Sequence, residues 1–403
     1  MQRNAKENKQ EAGVAKKVKA RRQKYYWDYS LMLTVFFLIC FGLVMIYSTS
    51  YYTAVRADED QFYYFWRQAI FSGIGIFAMF GIAIFSNYRT IVSKFAYPLQ
   101  IIGLVCMLLV SFSPWGIEVN GSKRWLGAFG VSFQPTELVK LATILFLVKN
   151  ICNKKKVLSG WKNLIIFLIL IIAPLGLVIS NNLSSGLIIV FIILVMYYVS
   201  ANKPRLFWPV VIGILGVGVF AYLFGDVFVK IGILKEYQLS RINVWKNPEA
   251  YATEGGYQVL QGLYAIGSGG FFGKGLGNST QKLGYVPEAR NDMIFSIICE
   301  EFGIFGAICL IALFVFMFYR MLIIVRNARD RAGKYLVIGI MSHLSIQVIL
   351  NIAVVTNMMP NTGVSLPFIS YGGSSVLFLL AEIGLVFNVG RDIPIKSRKV
   401  EEE

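Results

Sequence analysis

Residues 262–303 read GLYAIGSGGFFGKGLGNSTQKLGYVPEARNDMIFSIICEEFG. A glycine-rich loop passes into the short polar run Pro287-Glu288-Ala289-Arg290-Asn291-Asp292, which feeds without a break into an apolar helix beginning at Met293. A carboxylate at the mouth of a spanning helix sits where water meets lipid. The glycines before it let backbone N–H groups crowd around an anionic ligand. The stretch reads as a membrane helix with a working loop at its mouth.

The rest of the chain agrees. Of 403 residues, 56% are hydrophobic and 15% charged, too little polar surface to cover a soluble domain of this length. The composition predicts an all-α polytopic membrane protein. The formal charge is +17, but the basic residues fall in tails and short loops between apolar segments, where they orient helices against an anionic inner leaflet. That placement argues against nucleic-acid binding. Cys40, Cys106, Cys152, Cys299 and Cys309 lie in or at the ends of apolar segments with no C-x-x-C spacing, which argues against a disulfide framework or zinc site. The first 27 residues are basic and polar, ahead of an apolar run too long for a signal-peptide core, so the first helix is expected to stay as an anchor.

Stretches of about 20 residues that can span fall near Asp28–Thr49, Phe65–Ser86, Phe95–Ser113, Pro135–Lys149, Leu164–Ser180, Ser185–Val199, Leu206–Phe224, Met293–Val325, Tyr335–Thr356 and Leu366–Val389. Ten transmembrane helices result. Lys and Arg collect in the N-terminal tail, at Arg89 and Lys94, in Lys154–Lys156, at Lys203 and Arg205, from Arg320 to Lys334 and in Arg391–Lys399. These are every second loop and both tails, so both termini are expected in the cytoplasm. The organisation is a basic tail (residues 1–27), a membrane domain (28–390) and a second tail (391–403). An extracellular loop at 225–291, between the seventh and eighth spans, is far longer than a connection needs. Within it Tyr257, Leu260 and Tyr264 share one helical face, predicting a short helix that either lies in the outer interface or packs on its neighbours.

Three outward clusters could do chemistry. The first, Asn120–Trp125, runs on to Pro135, with Glu137 and Lys140 on one face of the fourth span. Opposite charges in a membrane helix either line a wet cavity or lock helices as an ion pair. The second is the opening stretch. Asp292 reads either as a general base or as a helix N-cap, and Glu300 and Glu301 read as buried hydrogen-bonding groups. Lys282 is expected to be exposed. The third is Asn357–Ser375, whose two prolines and Gly372-Gly373-Ser374-Ser375 predict a re-entrant turn and a broken helix start. His343, mid-span, reads as an interhelical hydrogen bond.

The pieces KRWLG (123–127), QPTELVKL (134–141), GYQ (256–258), AIGSGGFFGKGLGNSTQKLGYVPEARNDMIFSIICEEFG (265–303) and NMMPNTGVSLPFISYGGSS (357–375) resemble the SEDS family (shape, elongation, division and sporulation), the group of FtsW, RodA and SpoVE. They recur in family order across essentially the whole chain outside the tails. The resemblance implies a peptidoglycan glycosyltransferase of the bacterial cytoplasmic membrane, with its active site on the extracellular face. It would polymerise lipid II into β-1,4 strands during division or sporulation, with undecaprenyl pyrophosphate leaving. The family's essential aspartate falls on Asp292, which would take the proton of the acceptor GlcNAc 4-hydroxyl. Lys140, Arg124, Lys123, Arg241 and Lys274 would hold the diphosphate, and Glu137, Glu288, Ser370 and Ser374 would contact substrate. A divalent cation, magnesium or manganese, would fit beside Asp292, though the sequence holds no cage for one. Implied partners are a class B penicillin-binding protein and other division or elongation proteins. Where the family usually has Pro-Glu-x-His-Thr-Asp-Phe, this chain has Arg290-Asn291 for His-Thr and Met293 for Phe. A lipid II flippase and a non-catalytic scaffold are the rival readings.

Overall fold

The structure is a computed structural model that describes residues 26–56, 59–119, 122–128, 131–154, 160–201, 205, 207–230, 236–253 and 255–394. The basic tail before residue 26, Lys155, Lys156, Lys203 and the tail after Pro394 lie outside the described residues. The long helices are α1 (Tyr29–Arg56), α2 (Tyr63–Phe85), α3 (Tyr88–Phe112), α4 (Pro135–Cys152), α5 (Trp161–Asn181), α6 (Leu183–Ser200) and α7 (Phe207–Lys230). Two shorter helices follow, α8 (Glu236–Lys246) and α9 (Gly256–Ser268), then α10 (Ile294–Asn327), α11 (Arg331–Val355) and α12 (Gly373–Arg391). Among the described residues, eight helices are long and apolar enough to cross a membrane: α1, α2, α3, α5, α6, α10, α11 and α12. The protein is a mostly helical polytopic membrane protein. Helices α4 and α7 occupy the fourth and seventh expected spans.

Two expectations need correcting. The chain is not all-α: β1 (Gly116–Val119), β2 (Ser122–Ala128) and β3 (Val131–Phe133) form a small antiparallel sheet between α3 and α4, with Ile117 opposite Trp125 and Leu126 opposite Phe133. Its signal in the sequence is Asn120-Gly121 between two short runs, the dipeptide that favours tight hairpins. The stretch 225–291 is also more helical than a loop, since α7 continues to Lys230 and α8 and α9 follow. Helix α9 buries Val259, Gly262 and Ala265 while Tyr264 stays exposed. Its packed face is therefore turned away from the Tyr257, Leu260 and Tyr264 face.

Small residues set the packing, as expected where lipid is as apolar as a leucine side chain. On α2 the buried stripe is Gln68, Ser72, Gly75, Met79 and Ala83, and it lies on α12. A Cβ at Gly75 would stand 2.6 Å from Leu380, and one at Gly384 would stand 2.7 Å from the Met79 carbonyl. On α1, a Cβ at Gly42 would meet the Phe368 carbonyl at 2.5 Å, so the α1 backbone lies directly on the turn ahead of α12. That turn runs from Leu366 to Gly372, and α12 begins only at Gly373, the broken start expected from the prolines.

The two ends of the bundle differ. Where α3 and α11 begin and α10 and α12 end, Arg89 pairs with Asp330 and Asp392, and Arg320 pairs with Asp28 at 2.9 Å. The opposite end gathers the turn before α10, the segment between α11 and α12, and the helices α8 and α9. Midway, His343 on α11 meets Glu382 on α12 at 2.9 Å, the expected interhelical hydrogen bond.

Candidate active site at the mouth of helix α10

The glycine-rich loop docks on a break in α10. Gly303 adopts φ 68° and ψ −169°, interrupting the helix and freeing backbone groups around it. The loop pairs with them: Lys274 N–H donates to the Glu300 carbonyl and Gly275 N–H to the Glu301 carbonyl, both at 2.9 Å. In return Ile304 and Phe305 donate to the Gly270 and Phe271 carbonyls at 3.0 Å. The approach is so close that a Cβ at Gly273, whose φ is 81°, would stand 2.2 Å from the Glu301 carbonyl oxygen. The glycines thus serve backbone-to-backbone contact.

The anion that this loop surrounds belongs to the protein. The Glu300 carboxylate is fully buried and accepts from Lys274 Nζ at 2.6 Å, Thr280 N–H at 3.2 Å, Thr280 Oγ1 at 3.0 Å, Gln281 N–H at 3.3 Å and the Ser279 hydroxyl. Beside it Glu301 takes Lys282 Nζ and Ser48 Oγ, each at 2.7 Å. Glu300 and Glu301 are the buried hydrogen-bonding groups expected. Lys282 is not exposed as expected but 7% accessible, because Glu301 draws it under the loop.

Anchored in this way, the loop delivers the turn Val286–Met293. Asp292 is 9% exposed and is not the N-cap of α10; Met293 takes that position without a side-chain cap. The Asp292 carboxylate instead accepts from Gln258 Nε2 of α9 at 3.5 Å, and the same residue's backbone carbonyl accepts from Asn351 Nδ2 of α11 at 2.8 Å. Burial, reinforced by the charge of Glu288, pushes its pKa up to about 7, against the opposing pull of Arg241. A carboxyl group so tuned can exchange a proton near neutral pH. Glu288, Asn357 and Phe368 have positive φ angles of 56°, 55° and 65°, and all three stand in the turns of this site. Such backbone costs about 1–3 kcal/mol per residue and persists where the surroundings enforce it.

Beside this turn, on α4, Glu137 and Lys140 form a 2.8 Å ion pair with Lys140 only 1% exposed. Lys140 Nζ also reaches Gln347 Oε1 of α11 at 3.5 Å, and Gln347 Nε2 donates to the Ser365 carbonyl at 3.1 Å. Asn351, one turn further along α11, donates to the Val364 carbonyl at 2.7 Å. One polar face of α11 therefore ties the Glu137–Lys140 pair, the segment before α12 and the Asp292 turn into one network. Gln347 and Asn351 were absent from the sequence expectations, and Gln258 entered them only as the end of the GYQ piece. Their signal was three polar side chains in otherwise apolar helical runs.

The other expected residues are placed as follows. Ser370 Oγ donates to the Asn291 carbonyl at 2.6 Å, fastening the turn before α12 to the turn before α10. Arg241 donates to the Asn361 carbonyl at 2.9 Å. Arg124 Nε lies 3.4 Å from the Asn181 carbonyl, and Lys123 stands on β2 opposite Glu118. Lys274, expected at a diphosphate, has Glu300 as its partner. Glu288 accepts from the Asn291 side chain. Among the described residues, the buried polar atoms Glu137 Oε2, Thr136 Oγ1, Asn351 Oδ1, Thr362 Oγ1 and Ser374 Oγ have no protein partner. Among the described residues, no group of three or more His, Cys, Asp and Glu side chains is suited to hold a metal ion.

A family model for a cell cycle protein family, FtsW/RodA/SpoVE, matches residues 29–393. The chain belongs to the FtsW/RodA/SpoVE family. Within it, the chain is 35% identical over 368 residues to stage V sporulation protein E of Bacillus subtilis, covering 90% of this chain and 97% of the relative. It is 34% identical to the probable peptidoglycan glycosyltransferase FtsW of Trichlorobacter lovleyi, covering 92% and 94%. Its fold resembles a chain in a structure of a peptidoglycan synthase complex that coordinates polymerisation and crosslinking. The TM-score is 0.71 at 26% identity, over 93% of this chain and 99% of that one. The FtsW/RodA/SpoVE match thus spans every element that builds the site.

Proposed function

We infer that this chain is a peptidoglycan glycosyltransferase that extends glycan strands from lipid II, with Asp292 as the general base. The observation that carries the reading is a nearly buried carboxyl group with a pKa near 7, in an anchored turn at the mouth of α10. The names of the relatives support the activity.

The reaction asks for what this turn offers. The Asp292 carboxylate accepts the proton of the acceptor 4-hydroxyl as that oxygen bonds to the donor's anomeric carbon. The bond from that carbon to the diphosphate breaks, and undecaprenyl pyrophosphate departs with the electron pair. The leaving group is already good, so base and cations are the requirement and a general acid is not. In-line attack inverts the α-linked donor to a β-1,4 product. In this reading Thr136, Glu137, Thr362 and Ser374 contact sugar hydroxyls, and Lys140, Arg124, Lys123 and Arg241 supply the surrounding positive field. Lys274 contributes to that field only what Glu300 leaves unmatched.

The site opens outward in this reading, on ten membrane-crossing helices with both termini in the cytoplasm. Supporting it, the end of the bundle opposite Asp292 carries Arg89, Arg320, Arg326, Arg329, Arg331 and Arg391, as positive-inside placement requires. The partner is a class B penicillin-binding protein, a reading supported by the likeness to a synthase complex. Polymerisation of labelled lipid II in detergent, with that partner, tests the function. Polymer identifies the transferase; its absence from a folded complex favours a flippase, which needs a bilayer and makes no bond.

A further inference from the structure

Arg290 lies two residues before Asp292 and so within about 7 Å along the backbone. Its guanidinium carbon stacks 3.9 Å from the Tyr64 ring centroid and 6.0 Å from that of Tyr371. Tyr64 and Tyr371 meet edge to face at 5.3 Å. The Tyr371 N–H donates to the Arg290 carbonyl at 2.9 Å, and the next amide, Gly372 N–H, donates to Gln68 Oε1 at 3.1 Å. The backbone and the aromatic frame of this arginine are therefore fixed from α2 and from the turn before α12.

Its hydrogen-bonding edge has no partner among the described residues. Lys140, Lys274 and Lys282 each have a carboxylate partner at 2.8 Å or less: Glu137, Glu300 and Glu301. Arg241 and Arg124 reach backbone carbonyls. Among the described residues, no carboxylate or carbonyl receives a hydrogen bond from the Arg290 guanidinium. A guanidinium stacked by one face on an aromatic ring keeps its in-plane N–H groups available, in the fork that matches two oxygens of a phosphate. Arg67, one helical turn after Tyr63 and bonded to its hydroxyl at 3.0 Å, adds a second cation at this end of α2.

We propose that Arg290, held on Tyr64 beside Asp292, binds the diphosphate of the lipid-linked donor. The assignment rests on the glycosyl-transfer reading above. It places the cation that stabilises the leaving group on the same turn as the base, so that one rigid segment presents both.

The test uses the full chain in detergent with inorganic diphosphate as the probe, followed by calorimetry, and with lipid II turnover measured separately. Arg290→Gln should weaken diphosphate binding about 10- to 100-fold, the range for a charged bidentate contact, while Arg290→Lys should lie between Gln and wild type. Tyr64→Leu, which keeps the cation but removes its platform, should also weaken binding. In turnover, Arg290→Gln should lower kcat/KM more than Arg329→Gln at the opposite end. Equal diphosphate affinity in wild type and Arg290→Gln overturns the assignment, as does acetate displacing diphosphate at equal concentration, which marks a carboxylate site. Should Arg290→Gln not fold, unchanged affinity in Arg290→Lys and Tyr64→Leu overturns it in the same way. Diphosphate binding through Arg290 in a chain that makes no polymer leaves this site standing and removes the transferase reading.

Discussion

The side-chain amide of Asn351 donates to the backbone carbonyl of Asp292 at 2.8 Å, and with its second hydrogen to the Val364 carbonyl at 2.7 Å. One residue of α11 thereby fixes the turn that carries Asp292 and the segment that leads to α12. Its own carbonyl oxygen has no partner among the described residues.

Asn351→Ala should therefore misplace Asp292 without removing it. With about 1 kcal/mol for each lost bond, the expected result is a fall in kcat of about tenfold or more with KM within about twofold. Lipid II turnover across a range of concentrations measures the split. A rise in KM at unchanged kcat would show that Asn351 serves binding and not the base.

The raised pKa of Asp292 sets a pH dependence with a definite sign. As a base it must be ionised, so kcat/KM should rise with pH and level off above about 7. For stability the direction is opposite. The folded state favours the protonated carboxyl, so the stability this provides is full below the unfolded value near 3.8 and is lost as pH rises through about 7. Asp292→Asn should accordingly raise the unfolding temperature at pH 8 and leave it nearly unchanged at pH 4. Thermal unfolding at the two pH values checks it.

Glu300 is the anchor of the glycine loop. Glu300→Ala should cost about 3–5 kcal/mol, as for a buried pair broken from its buried side. Lys274 is about one-third exposed, so Lys274→Ala should cost about 1 kcal/mol or less. Limited proteolysis between Gly269 and Lys282, compared with thermal unfolding, follows both effects. Equal damage from the two variants would mean that Lys274, not the set of loop donors, holds Glu300.

The Glu137–Lys140 pair is buried on both sides. Glu137→Ala and Lys140→Ala should each destabilise by about 3–5 kcal/mol, and the double variant by less than their sum, since neither charge is left alone. Additive losses in a double-mutant cycle would contradict coupling between the two.

Much of the helical architecture was legible because apolar runs and alternating basic loops are long-range patterns that neighbours do not override. The position of Asp292 at the mouth of α10 was legible because a carboxylate stands where the apolar run begins. The small sheet was missed since Ile117, Val119 and Trp125 form runs too short for a periodicity to stand out. The purpose of the glycines was misread for another reason. A sequence shows that Gly273 and Gly303 permit close approach, but not that the group approached is backbone of the same chain, loop against α10. Lys282 was misread likewise, because its partner Glu301 lies 19 residues along the chain and meets it only through the loop's fold back onto α10. Gln258, Gln347 and Asn351 stand out as polar side chains in helical runs, but the contacts they make between helices are not recorded in any local pattern.

The central claim is that the carboxylate of Asp292 removes the acceptor proton. The most direct measurement is polymer formation from labelled lipid II by the purified chain with its penicillin-binding partner, comparing wild type, Asp292→Ala and Glu288→Gln. Wild type and Glu288→Gln should give glycan strands, and Asp292→Ala, with an unfolding transition like that of wild type, should give none. Strands of ordinary length and rate from folded Asp292→Ala would contradict the account.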